Sequence, residues 1–282
     1  MPCARGRASG TMVREREVGM LIDNLTDNDL RLLARYAGDE PVDARRLRGD
    51  RAVVQRRIRD RRFSDRLLDD RDEVLAVSPY LFFLTMLIRE REDLADRAWS
   101  YELATSRMSI IFDTPQLIAL LDDEELLDYL ALMLASFIRV NQYSRLMEVH
   151  RGVFRRMRLN TLDIDSMLEY SRYVGESERF TLYKRVADVC LFMNGIYGER
   201  LRFDRVTGRH FRAPTRGRAS AKDYRECGRH YYREAARLAE RREIEDRDVL
   251  LGLAHSFELA TRSLGFLSDH YLATLRTRGF SL

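Results

Sequence analysis

An all-α fold, an irregular bundle of about eight to ten helices with a C-terminal helical hairpin, is what this sequence predicts, and three observations carry the prediction. From residue 18 onward apolar residues recur at steps of three and four, the spacing of one helix face. Helix starts are written into the chain as Ser78-Pro79 and Thr114-Pro115, a hydroxyl that accepts from an orphan N–H followed by a proline with no N–H to lose. Gly38, Gly175 and Gly198 follow apolar runs, where a helix stop belongs.

Residues 1–17 carry no apolar period and read as a disordered tail, leaving 18–282 as one helical domain divisible into sub-lobes 18–140 and 141–282. Thr26-Asp27 caps a helix over Leu30, Leu32, Leu33 and Tyr36. The arginine-rich stretch 45–62 has a thin stripe of Leu47, Val54 and Ile58, and Phe63, Leu67 and Leu68 continue the helical period towards Val77. The helix after Ser78-Pro79, YLFFLTMLI, is apolar on every side and is expected at the centre of the core. The acids of DDEELLD open a helix from about Asp123 to Val140, at the positive end of its dipole. Tyr143, Leu146, Met147, His150, Phe154 and Met157 then predict an amphipathic helix, followed by helices over about 164–174 and 178–197.

Residues 199–218 break the pattern, and LRF and RHFR flanking DRVTG read as a small β-hairpin near 201–212 or as an ordered loop. Ser220 with Asp223 resembles a capping box for a helix striped by Tyr224, Cys227, Tyr231, Ala235 and Leu238. Leu250, Leu253, Phe257, Ala260, Leu264, Leu267 and Tyr271 alternate three and four through three heptads. That seam over 250–271 needs a partner, within the chain or in a second copy as a homo-oligomer.

At 282 residues the chain can bury a core without disulfide or metal staples. With 45% hydrophobic and 33% charged residues it is too apolar for general disorder. Lysine occurs only at Lys184 and Lys222, so 47 of 49 basic residues are arginine, the mark of a G+C-rich genome. This discounts the sequence pI of about 9.0 as a sign of nucleic-acid binding. Cys3, Cys190 and Cys227 are odd in number and unclustered, so no disulfide framework is implied. The start lacks a signal-peptide core, and the longest apolar runs reach about half a membrane span, so no membrane association and a cytoplasmic, prokaryotic setting are expected.

The charge is segregated. Residues 45–62 hold nine arginines against Asp50 and Asp60, and residues 200–222 hold eight basic residues against Asp204, a local balance of +7 in each. With +4 overall, the remainder carries −10. Such a field selects partners, either phosphate or an acidic protein surface. In the second segment Arg200, Arg202, Arg205, Arg209, Arg212, Arg216 and Arg218 offer planar forks that match phosphate or carboxylate oxygens. Phe203, His210 and Phe211 add rings that could stack on bases. The leading expectation is a non-catalytic helical interaction or regulatory protein, an adaptor docking a protein partner. The alternative is a nucleic-acid-associated factor gripping phosphate through 45–62 and 200–222.

Asp223, Cys227, His230 and Glu234 fall near one face of a helix, but Cys227 lies on the apolar stripe and no CxxC or HxxxH occurs, so no metal or other cofactor is expected. His150, His255 and His270 are scattered among apolar helices and read as packed or surface histidines. The sequence has no G-x-S-x-G, P-loop, G-x-G-x-x-G or H-E-x-x-H, so no catalytic residue is assigned. Taken together, SPYLFF (78–83), LLDYLALML (126–134), GRHYYREAA (228–236) and LATRSLGFLSDHYL (259–272) resemble a family of uncharacterised all-helical prokaryotic proteins. These are packing and capping motifs, so the resemblance implies a fold and transfers no functional residue.

Overall fold

The computed structural model describes residues 23–36, 43–96, 101–104, 107–110, 114–138, 142–151, 153–198, 220–273 and 275. Within them the body is all-α, with thirteen α-helices and two short antiparallel ribbons beside them. The buried apolar residues form one connected cluster running from Leu25 to Leu275.

The N-terminal part is built from short helices: α1 (Asp27–Tyr36), α2 (Ala44–Leu47), α3 (Arg51–Ile58), α4 (Arg61–Asp69) and α5 (Arg71–Ala76). Their brevity has a local cause. Asp43, Asp50, Asp60 and Asp70 each turn a carboxylate back onto a backbone N–H of the following first turn, as N-caps of α2 to α5. The stretch 45–62 is therefore cut by its own two acids. At the start of α1, Thr26 and Asp29 form a reciprocal cap, with bonds of 3.1 and 2.8 Å. The fully buried Asp29 also accepts from the Ser78 N–H at 2.7 Å, tying α1 to the start of the next helix.

That helix is α6 (Pro79–Asp96), capped by the Ser78 hydroxyl on Leu81 N–H at 3.1 Å. Every residue from Tyr80 to Glu90 is buried, as its all-round apolar sequence predicts. It packs against α4, α7 (Thr114–Asp122), α8 (Glu124–Ser136) and α13 (Phe257–Leu267). Between α6 and α7 a ribbon pairs β1 (Tyr101–Ala104) with β2 (Arg107–Ile110).

The amphipathic helix expected over 143–157 is instead a second ribbon, β3 (Gln142–His150) paired with β4 (Val153–Asn160) from Gln142 opposite Asn160 to His150 opposite Val153. Tyr143, Leu146, Met147, Phe154 and Met157 fit a helical period, but Arg151-Gly152 stands at the middle of the run. A glycine inside a helix is unfavourable by about 1 kcal/mol, whereas a two-residue hairpin connection favours it. Val149 and Val153 beside that pair add β-branched side chains that suit strands.

The chain continues through α9 (Ile164–Ser171), α10 (Glu176–Ile196), α11 (Ala221–Arg241), α12 (Arg247–His255), α13 and a π-helical turn over Ser268–Leu272. The Ser220–Asp223 capping box forms as the sequence suggests. α10 and α11 are the long central pair, and α11 with α12 and α13 makes the C-terminal hairpin. The three-heptad segment is interrupted at Ser256, which ends α12 and starts α13. All seven of its seam residues are buried inside this one chain, which is the within-chain alternative of that expectation and leaves none of the seven exposed to join a second copy. Two glycines permit the close fit. A Cβ on Gly195 would lie 2.4 Å from Leu264 Cβ, and one on Gly228 2.4 Å from the Phe257 ring.

Candidate functional site

The first basic segment is largely spent on the chain itself. Arg57 is buried on α3 and donates to the carbonyls of Leu33 at 3.1 Å and Ala34 at 3.3 Å, meeting the negative end of α1. Arg48 pairs with Asp27, and Arg51 and Arg59 converge on Glu124 in the first turn of α8 at 3.2 and 3.7 Å. Arg61 bridges Asp93 and Asp96 at 3.2 Å each, and Arg62 returns to Asp60 at 2.9 Å. Most of these pairs are well exposed and individually worth about 0–1 kcal/mol. Their collective effect is to offset charge: among the described residues five of the nine arginines pair with carboxylates, and Arg57 bonds backbone carbonyls.

Beneath this seam lies a buried polar cluster. Arg89 on α6 donates to Ser64 Oγ at 2.6 Å, Asp65 at 2.7 Å and Asp93 at 3.2 Å. Asp93 also accepts the Tyr271 hydroxyl at 2.9 Å, which links α4, α6 and the C-terminal π turn. One turn away, Glu90 is fully buried with neither carboxyl oxygen in a well-formed hydrogen bond, and the facing Ser263 Oγ is in the same position. Burial holds the Glu90 carboxyl well above its usual value, against a lesser opposing influence of Ser263 and with a further small push from the Asp93 charge.

A second cluster sits between α8, α10 and α11. Asp188 Oδ1 accepts the hydroxyls of Tyr129 at 2.6 Å and Tyr232 at 2.9 Å. Burial raises the Asp188 carboxyl, while Lys184 and the two tyrosines pull the other way. Lys184 itself bonds Asp246 at 2.8 Å and lies 4.6 Å from the Tyr129 ring centre. A third stitch joins Tyr80 to Asp128, linking α6 to α8. In all three places hydroxyl and guanidinium donors close onto the carboxylates, an arrangement that fixes helices against one another. None of these residues was singled out for this purpose from the sequence. The signal that could have found them is an acid embedded in an apolar helical run, as in LLDYLALML and VADVCLF.

An open concavity among the described residues lies elsewhere, at the end of the α10–α11–α13 layer. A cleft of about 130 Å³ is lined by Asn194, Gly198, Ala221, Arg225, Glu258, Thr261 and Arg262. Asn194 Nδ2 bonds the Ala221 carbonyl at 3.0 Å across its floor, and Arg225 pairs with Glu258 at 2.9 Å on its rim. Gly198 and Ala221 of this lining flank the stretch 199–220. The cleft is thus the root of the second basic segment. Arg200, Arg202, Phe203, Arg205, Arg209, His210, Phe211, Arg212, Arg216 and Arg218, with the hairpin expected near 201–212, lie outside the described residues.

Among the described residues no three His, Cys, Asp or Glu side chains are grouped to hold a metal. The helical quartet is dispersed in its contacts: Asp223 belongs to the capping box, the His230 ring lies edge-on to Tyr231 at 4.9 Å, and Glu234 pairs with Arg237. His270 stacks on Phe266 with ring centres 3.8 Å apart, a packed histidine, and His255 is exposed. No helix among the described residues is long and apolar enough to cross a membrane. No family model, curated protein or solved structure matches the chain.

Proposed function

We propose that this chain is a non-catalytic helical adaptor that docks a protein partner bearing an acidic surface, with the basic segment 200–222 as the docking element. The observation that carries the reading is the fate of the first basic segment. Five of its arginines meet carboxylates of the same chain and Arg57 caps α1, so this candidate phosphate-binding stretch serves as internal cement. The other positive excess of the sequence lies in 200–222, at +7, next to a cleft lined in part by Arg225 and Arg262. A single flexible-composition basic segment with Gly208, Pro214 and Gly217 suits an acidic protein face without demanding the extended track that duplex backbones favour.

The test separates this reading from phosphate binding. The full chain and its Arg209→Gln/Arg212→Gln/Arg216→Gln variant are used to capture partners from native lysate with and without nuclease. In parallel, binding to mixed-sequence DNA and RNA is titrated against salt. The expected outcome is a protein partner that survives nuclease and is lost in the triple variant, with only weak nonspecific nucleic-acid binding at about 0.15 M salt. Tight, steeply salt-dependent binding to DNA or RNA, abolished in the triple variant, would replace the adaptor with a nucleic-acid factor.

A further inference from the structure

α10 and α11 run antiparallel in a register set by three contacts. Tyr183 meets Tyr231 with ring centres 5.0 Å apart, Asp188 receives the Tyr232 hydroxyl at 2.9 Å, and Asn194 bonds the Ala221 carbonyl at 3.0 Å. The same register sets Cys190 of α10 opposite Cys227-Gly228 of α11. The two helices come unusually close at this point. A Cβ on Gly228 would fall 2.9 Å from Cys190 Cβ and 2.4 Å from the Phe257 ring, so only glycine allows α11 to seat so deeply. A disulfide needs its Cβ atoms within about 4.5 Å of each other, a condition that close helix approach favours.

The two sulfurs differ in exposure. Cys190 is fully buried and Cys227 half-buried. The neighbouring Cys190 thiol is the main influence drawing Cys227 below its ordinary value, against the opposing effects of its burial and of Asp165 on α9. Burial, then the neighbouring Cys227 thiol, pushes Cys190 well above its own. A reachable sulfur with enhanced thiolate character beside a buried protonated thiol is the arrangement of an attacking and a resolving cysteine.

We propose that Cys190 and Cys227 form a redox modification site, a dithiol that a hydroperoxide converts into an intramolecular disulfide locking α10 to α11. In the first step the Cys227 thiolate attacks the peroxide O–O bond. One oxygen is transferred to give a sulfenic acid, and the other leaves as water or alcohol after taking up a proton. In the second step the Cys190 sulfur attacks Cys227, the S–O bond breaks, and the hydroxyl departs as water with the proton of Cys190. Two thiols lose two electrons together and the peroxide gains them. A thiol reductant returns both cysteines to the starting state.

The test uses the full chain carrying Cys3→Ser, so that only this pair reports. The reduced protein is treated with a few equivalents of hydrogen peroxide in native buffer and followed by intact mass, free-thiol count and peptide mapping. The expected result is joint loss of both thiols, a mass lower by about 2 Da and a reducible Cys190–Cys227 cross-linked peptide. In Cys190→Ser the reaction should stop at a Cys227 sulfenic acid that a dione probe traps. If that variant does not fold, Cys227→Ser supplies the check, because the buried Cys190 alone should then resist peroxide. Oxidation of Cys227 to sulfinic acid with Cys190 untouched, formation of intermolecular disulfides only, or no reaction of either thiol would each overturn the proposal.

Discussion

Glu90 is the residue whose environment departs furthest from what its chemistry prefers. Its carboxyl is enclosed between α6 and α13 with no hydrogen bond to either oxygen, and burial together with the nearby Asp93 favours its neutral form. The groups around it are charged but committed elsewhere: Arg89 to Ser64, Asp65 and Asp93, and Tyr271 to Asp93. The sign of the pH dependence follows directly. A carboxyl whose folded pKa is raised holds its proton more tightly in the native state, so its contribution is fully present below the unfolded value, about 4.3. It is lost as pH rises from there to the folded pKa, at about 1.4 kcal/mol per pH unit. Glu90→Gln, which mimics the neutral acid, should therefore match the parent near pH 4 and melt higher than it near pH 7.5. Thermal melts across that range check this, and curves that stay parallel throughout would show that Glu90 is not titrating against stability.

Among the elements, the aspartate-capped helices α2 to α5 show both how much the sequence reveals and where reading it by charge alone falls short. The core helix α6, its Ser78-Pro79 start and the Ser220–Asp223 box were legible because cap and apolar run stand next to each other in sequence. Asp50 and Asp60 were legible only as negative charges among arginines, although each begins a helix by accepting a backbone N–H. The ribbon over 142–160 was hidden for a different reason. Its apolar residues satisfy a helical period, and the decision rests with the glycine at position 152 and with strand pairing, which period counting does not weigh. The two roles of Asp60, cap and ion-pair partner of Arg62, can be separated experimentally. Asp60→Asn keeps the acceptor and removes the charge, and should lie within about 0.5 kcal/mol of the parent. Asp60→Ala removes both and should be less stable by about 1 kcal/mol in chemical denaturation. Equal losses in the two variants would assign the effect to the ion pair instead.

At the level of the whole molecule, the same chain carries two basic segments of equal charge, and the first of them is tied into the fold. Residues 45–62 fold back on the acids of α1, α6 and α8, so part of their excess is offset internally, through contacts up to 73 residues apart that no local reading of sequence can supply. The candidate docking segment was legible as charge and rings alone. The C-terminal heptads follow a similar rule: their seam was legible, but its partner is this chain's own bundle. Leu264 is fully buried against Gly195 of α10, whereas Leu251, on the same 250–271 stretch but off the seam, is 39% exposed. A charged residue at the two positions should therefore have opposite consequences. Leu264→Asp places a carboxylate in the core and should prevent folding, by loss of apolar burial and by stranding a charge that finds no partner. Leu251→Asp should leave the melting temperature within a few degrees of the parent. Circular dichroism, together with light scattering at the exit of a sizing column, distinguishes the cases. The parent should run at its monomer mass of 33.2 kDa, and Leu264→Asp should unfold rather than yield a folded, smaller species. A parent that runs as a dimer, and a Leu264→Asp chain that stays helical as a monomer, would mean that the heptad seam faces a second copy in solution.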